Sequence, residues 1–305
     1  MKRLIQIFIG LIAGLLLLFV FLRTQDIPLN ELKQKYTDDA SQFVEIDGIE
    51  VHYKQEGTGL DLLLIHGTAS SLHTWDGWVK ELKNDFRITR LDLPAFGLTG
   101  PHPSGDYSIS FYTNFLDEFV KTVGLDTFSI AGNSLGGGIA WSYALNNQNK
   151  IQKLILIDAS GYPKEGMPSV FKIAQNPLGA SLLKQVTPRS FVAKNVREVY
   201  FYDSLITESL IDRYYELTLR PGNRQAFIDR ARTKLGYNYE LIETLDIPTL
   251  IQWGRHDEWI PLADGEKFLS EIPNSTLKVY DAGHVPMEEL PQKTADDCRT
   301  FIRNE

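Results

Sequence analysis

Residues Thr127–Leu145 read TFSIAGNSLGGGIAWSYAL, and this stretch decides the fold. Thr127–Ala131 is a short β-prone run, and an apolar helical run follows from Leu135. Between them stands Gly132-Asn133-Ser134-Leu135-Gly136, a G-x-S-x-G pattern in a strand–turn–helix setting. A strand that enters a helix this abruptly must turn sharply. Glycines two before and two after the serine remove Cβ atoms that would otherwise clash. The hydroxyl is presented at the start of a helix, so Ser134 is the candidate nucleophile.

Outward from this turn the chain alternates short β runs with helical patterns. Candidate strands are 43–46, 49–55, 61–65, 86–91, 127–131, 153–157, 248–253 and 276–280; candidate helices are 110–123, 135–146, 263–271 and 292–303. Leu62-Leu63-Leu64-Ile65 and Leu154-Ile155-Leu156-Ile157 are continuous apolar runs, as parallel strands covered on both faces require. The pattern predicts an α/β protein with a doubly wound, mostly parallel eight-stranded sheet. From Gly161 to Tyr239 the alternation stops, and helical periodicity broken by prolines predicts a helical insertion on the sheet. That insertion carries 12 Lys and Arg against 7 Asp and Glu, on a body that is otherwise acidic.

Serine needs a base, and the base needs an orienting carboxylate. In open α/β sheets such partners lie at the carboxyl ends of strands. His284, in Asp281-Ala282-Gly283-His284, directly follows the last candidate strand and is the favoured base. His66 and His73 are read as shaping a loop, and His52 and His102 as bland strand and loop residues. Asp257, released by the Gly254 turn, is favoured as the acid over Asp158 at the end of an earlier strand, with Glu258 a weaker third candidate. Developing negative charge on a carbonyl oxygen needs backbone donors. Leu135 N–H follows the nucleophile, and Gly67 lets the Ile65–Ser70 loop approach, offering Thr68 N–H or, alternatively, Ala69 N–H.

The N-terminus is read separately. Leu4–Leu22 is a 19-residue run with Gln6 as its one polar side chain, and as a helix it would span about 28 Å, near the thickness of a bilayer core. A cleaved signal would have a shorter apolar region and a small-residue cleavage site, which Phe21-Leu22-Arg23-Thr24-Gln25 does not supply. Residues 1–23 are therefore expected to be a transmembrane anchor, 24–42 a polar linker and 43–305 the folded domain. Lys2 and Arg3 ahead of the run place the domain on the extracytoplasmic side. The full chain of 305 residues has net charge −8, which disfavours nucleic acid as a partner, and its single Cys298 excludes a disulfide framework.

The motifs HGTAS at 66–70, DLPAFG at 92–97, GNSLGG at 132–137, WGRHDEWIP at 253–261 and AGHVPMEE at 282–289 together resemble the α/β-hydrolase superfamily from about Phe43 to the C-terminus. The resemblance implies Ser134, Asp257 and His284 as a triad, Thr68 and Leu135 as the oxyanion hole, and 161–239 as the cap, with neither metal nor organic cofactor. It departs at Ala95, where many relatives have glycine. Superfamily dehalogenases and epoxide hydrolases use an aspartate nucleophile, so Ser134 argues against both. The implied activity is hydrolysis of esters of hydrophobic acyl groups, small-molecule or lipid-like. Cleavage of C–C bonds, lactones or thioesters, or ligand binding without turnover, are the alternatives.

Overall fold

Eight strands form one sheet in the order β1-β2-β4-β3-β5-β6-β7-β8. They are β1 Ser41–Ile46, β2 Ile49–Glu56, β3 Leu60–Ile65, β4 Phe86–Leu91, β5 Phe128–Asn133, β6 Ile151–Ile157, β7 Thr249–Gly254 and β8 Ser275–Tyr280. The β1–β2 and β2–β4 pairs are antiparallel and every other pair is parallel. The computed structural model describes residues 6–8, 10, 20–163, 166 and 168–304.

The apolar runs behave as two-faced strands. Leu63 and Ile65 pack into the core on one face and Leu62 and Leu64 into the core on the other; all four are fully buried. The helices Ile109–Val123 and Leu135–Asn146 cover the first face, and Asp76–Leu82 and Pro291–Arg303 the second. Each fully buried Leu or Ile contributes roughly 1.5–3 kcal/mol relative to exposure, so this double layer dominates the stability of the sheet.

The direction in which successive strands are added reverses beside β3. From β3 the chain crosses to β4 on one side, and β5 then pairs with β3 on the other, with Ile65 opposite Gly132. Such a switch point leaves a crevice at the carboxyl ends of the strands. The loop at Gly67 and the turn at Ser134 both open into it.

Between β6 and β7 the described residues form the α-helices Ser169–Gln175, Pro177–Gln185, Arg189–Val199, Glu208–Thr218 and Asn223–Arg232. They have a small core of their own around Ala174, Ala180, Leu183, Ile228 and Ala231. The stretch expected to be a plain linker holds the helix Leu29–Tyr36 and lies against this helical layer. Thr24 N–H donates to Gln185 O (2.8 Å), Ile27 N–H donates to Leu219 O (2.9 Å), and Lys35 pairs with Glu216 at 2.7 Å. Leu32 is buried with Leu98 and Leu217. One buried leucine in a polar octapeptide is too weak a pattern to read without its partner surface.

No helix among the described residues is long and apolar enough to cross a membrane. Most of the 4–22 run expected to form the transmembrane helix lies outside the described residues. Ala95 adopts φ 86°, a left-handed conformation that favours glycine, in a turn closed by its N–H to Gly100 O at 2.7 Å.

Candidate active site

Ser134 follows the last residue of β5 at φ 54° and ψ −117°, a strained backbone for a residue with a side chain. The surroundings hold it there. Its N–H donates to Ile157 O (3.0 Å), and its carbonyl accepts from Gly138 N–H (3.0 Å), Ser160 N–H (3.0 Å) and Ser160 Oγ (3.1 Å). A Cβ on Gly132 would lie 2.2 Å from Gly136 O, so the turn closes only with glycine there. Leu135 is the first residue of its helix, where an N–H has no intrahelical acceptor and carries the positive end of the dipole.

The loop after β3 comes equally close. A Cβ on Gly67 would sit 3.1 Å from Ser134 Cβ, and Thr68 and Ser134 line the same cavity. His66 fixes this loop from within: its Nε2 accepts Leu93 N–H (2.9 Å), so its Nδ1–H donates to Gly67 O (2.7 Å). Burial lowers the His66 pKa and keeps the ring neutral, consistent with that tautomer.

His284 lies on the loop after β8. Its Nδ1–H donates to Asp257 Oδ2 at 2.7 Å, while the other Asp257 oxygen accepts Trp259 N–H (2.7 Å) and Ile260 N–H (2.9 Å). Burial pushes the Asp257 carboxyl up, but the His284 ring, its hydrogen bond and the Ile260 N–H outweigh this and hold it below the usual range. With Nδ1 engaged, Nε2 is the nitrogen left to accept a proton in the cavity that His284 and Ser134 share.

Two further residues lock the histidine loop, and neither stood out in the sequence. Asn133 Nδ2 donates to both Ile157 O (3.2 Å) and His284 O (3.0 Å), tying the serine turn to the histidine. Glu289 accepts N–H groups from Gly283 (2.6 Å), Phe201 (2.8 Å) and Tyr202 (2.8 Å), joining that loop to the helical layer. The second E of the AGHVPMEE motif was the available signal, but only the fold shows what it binds.

The cavity holds about 1090 Å³ of empty space, counting its mouth. Val170, Phe171, Leu183, Phe191, Val196 and Phe227 from the insertion line it together with Ser134 and His284. Arg224 is the one Lys or Arg among its described lining residues, and it is committed to Asp26 (2.7 Å) and Thr24 O (3.1 Å). Asp158, Asp257 and His284 are the one group of acids and histidines among the described residues that could hold a metal ion. Three donors, the ring and two backbone N–H groups, already engage the Asp257 carboxylate and leave it a single acceptor site, so the cluster fits hydrogen-bonded relay chemistry better than a cation site.

The α/β hydrolase fold family model matches residues 62–291. The chain belongs to that family. Among curated relatives, this α/β-hydrolase is 26% identical over 275 residues to the 2-hydroxy-6-oxo-6-(2'-aminophenyl)hexa-2,4-dienoic acid hydrolase of Metapseudomonas resinovorans, covering 86% of this chain and 90% of the relative. It is 26% identical over 257 residues to Lipase 3 of Moraxella sp. strain TA144, covering 80% of this chain and 78% of the relative. Among solved structures, a bacterial membrane phospholipase A superposes with a TM-score of 0.75 at 23% identity, over 100% of both chains. These relatives support an enzyme of the α/β-hydrolase kind, and their different substrates leave the reacting bond to be argued from the site.

Proposed function

We propose that this α/β-hydrolase is a serine hydrolase cleaving carboxylic esters of hydrophobic acyl groups. One observation carries the reading: Ser134 and His284 open onto the same apolar cavity, and Asp257 holds the far nitrogen of His284 at 2.7 Å. Ser134 Oγ attacks the ester carbonyl as His284 Nε2 takes the hydroxyl proton. The oxyanion of the tetrahedral intermediate is received by the N–H groups of Leu135 and Thr68, where loss of one donor typically costs about 2.7–4 kcal/mol. Collapse expels the alcohol, which takes the proton from His284 and leaves an acyl-Ser134 ester. Water, deprotonated by His284, then releases the acid, and Asp257 stabilises the imidazolium in both half-reactions.

The lining favours an ester over the dienoic acids named for the Metapseudomonas relative. An anionic substrate would bury its carboxylate, which is unfavourable without a paired cation, and Arg224 is already paired with Asp26. A panel of p-nitrophenyl esters of increasing acyl length, a thioester, a lactone and a meta-cleavage dienoic acid tests this. The expected result is kcat/KM rising with acyl length through at least the C4 to C8 esters and exceeding that for the dienoic acid by more than about tenfold, or 1.4 kcal/mol. Faster turnover of the dienoic acid than of any ester would overturn it.

We further infer that residues 4–22 anchor the enzyme in a membrane with the catalytic domain extracytoplasmic, on the strength of the run's length and its lack of a polar stripe. The full chain should stay with membranes after alkaline carbonate extraction, and protease added to intact spheroplasts should reach the domain. Release by carbonate would contradict the anchor, and protection from protease the orientation.

A further inference from the structure

Two carboxyl groups meet at the buried end of the triad. Asp158 directly follows β6, is fully buried, and is held at φ 43° while its N–H donates to Gln252 O at 3.0 Å. Its Oδ1 accepts Gly254 N–H at 2.9 Å, whereas its Oδ2 is buried with no donor supplied. The Asp257 carboxylate is the nearest charge to it, with an oxygen of each acid within 4.8 Å of the other. One ligand atom from each of Asp158, Asp257 and His284 falls within 4.8 Å of the others.

Two ionised carboxylates closed off from water repel strongly, so the pair retains a proton. Its position follows from the donors. Asp257 is compensated by the His284 ring and two backbone N–H groups, and Asp158 by the Gly254 N–H alone. Glu289, from the helix after the histidine loop, adds negative potential at Asp158 while its own carboxylate is spent on Gly283, Phe201 and Tyr202.

We propose that Asp158 is a fourth, neutral member of the site, a positioning residue whose protonated Oδ2 donates to Asp257 and fixes the carboxylate that orients His284. The proposal rests on the triad reading given above. Burial, together with the Asp257 carboxylate, pushes the Asp158 carboxyl well above the usual range, in the same sense. The arrangement satisfies the orphan oxygen and keeps a single negative charge behind the imidazole.

The test compares Asp158→Ala and Asp158→Asn by the pH dependence of kcat and kcat/KM on p-nitrophenyl butyrate, with Ser134→Ala alongside. Removing the donor in Asp158→Ala should lower kcat by about 10- to 100-fold at little-changed KM. It should also move the acid limb of kcat/KM to higher pH, because the Asp257 charge is then less dispersed. Asp158→Asn keeps a neutral donor and should recover kcat to within about threefold, with the limb back at its wild-type position. A limb displaced a full pH unit or more downward in Asp158→Asn would mean that an ionised Asp158 had been neutralised, and would overturn the proposal. So would an Asp158→Asn enzyme as impaired as Asp158→Ala, or an Asp158→Ala enzyme with unchanged kcat and limb. If Asp158→Ala does not fold, the Asp158→Asn profile decides alone. An active Ser134→Ala would show instead that the triad reading had failed.

Discussion

Asp257→Asn should lower kcat on p-nitrophenyl butyrate by about 10³- to 10⁴-fold while leaving the protein folded. The reason lies in what holds the side chain. The Asp257 oxygen facing Trp259 and Ile260 accepts two backbone N–H groups, at 2.7 and 2.9 Å. An asparagine keeps its carbonyl oxygen on those donors and turns its amide nitrogen toward His284 Nδ1. That ring nitrogen then becomes an acceptor, and the proton moves to Nε2. With a proton on Nε2, His284 cannot take one from Ser134. Unfolding curves matching wild type, with the loss confined to kcat, would establish the effect as a tautomer change. A loss below tenfold would mean that Asp257 does not orient the base.

Gly136→Ala should be strongly destabilising, lowering stability by at least about 3 kcal/mol. The added Cβ would lie 2.2 Å from Ile65 O and 2.6 Å from His66 O. Both atoms are backbone, at the end of β3 and in the loop carrying Thr68, so no side chain can move aside. Relief requires the helix Leu135–Asn146 to lift off the sheet where it is most buried. The expected signs are a drop in the urea midpoint and poor soluble yield. A variant with the wild-type midpoint would refute the close approach of helix and strand on which the serine turn depends.

The sequence disclosed most of this frame because its signals are local. β4 and the helix Leu135–Asn146 have the limits the pattern predicted, Phe86–Leu91 and 135–146. β5 runs on to Asn133, past the β-prone residues, because Ile65 pairs with Gly132 and Ile157 with Asn133 across the sheet. No propensity of Gly-Asn predicts that extension. The helix Asp76–Leu82 shows no legible helical pattern because Gly77 interrupts it. A Cβ at Gly77 would lie 2.6 Å from Pro291 Cβ, and that fit is invisible without the partner helix. The helix Leu29–Tyr36 is hidden for a related reason, since its one core residue, Leu32, meets side chains more than 60 residues away.

Residue types pointed to the site, but pairwise distances organise it. Ser134, Asp257 and His284 were legible because their chemistry is restricted and each follows a strand. The sequence offers Asp158 only as the lesser candidate for the role of Asp257, since each acid follows a strand. The structure brings an oxygen of each carboxyl within 4.8 Å of the other. Asn133 and Glu289 bind backbone groups far apart in sequence, at His284 and at Phe201 and Tyr202, so no spacing rule exposes them.

The central claim is that Ser134 is an activated nucleophile. Treating the full-length enzyme with a fluorophosphonate probe and mapping the modified peptide tests it most directly. The account predicts one phosphonylated residue, Ser134, with ester hydrolysis falling in step with labelling and no adduct on Ser134→Ala. An enzyme that stays unlabelled while it hydrolyses esters, or an adduct on any other residue, would contradict it.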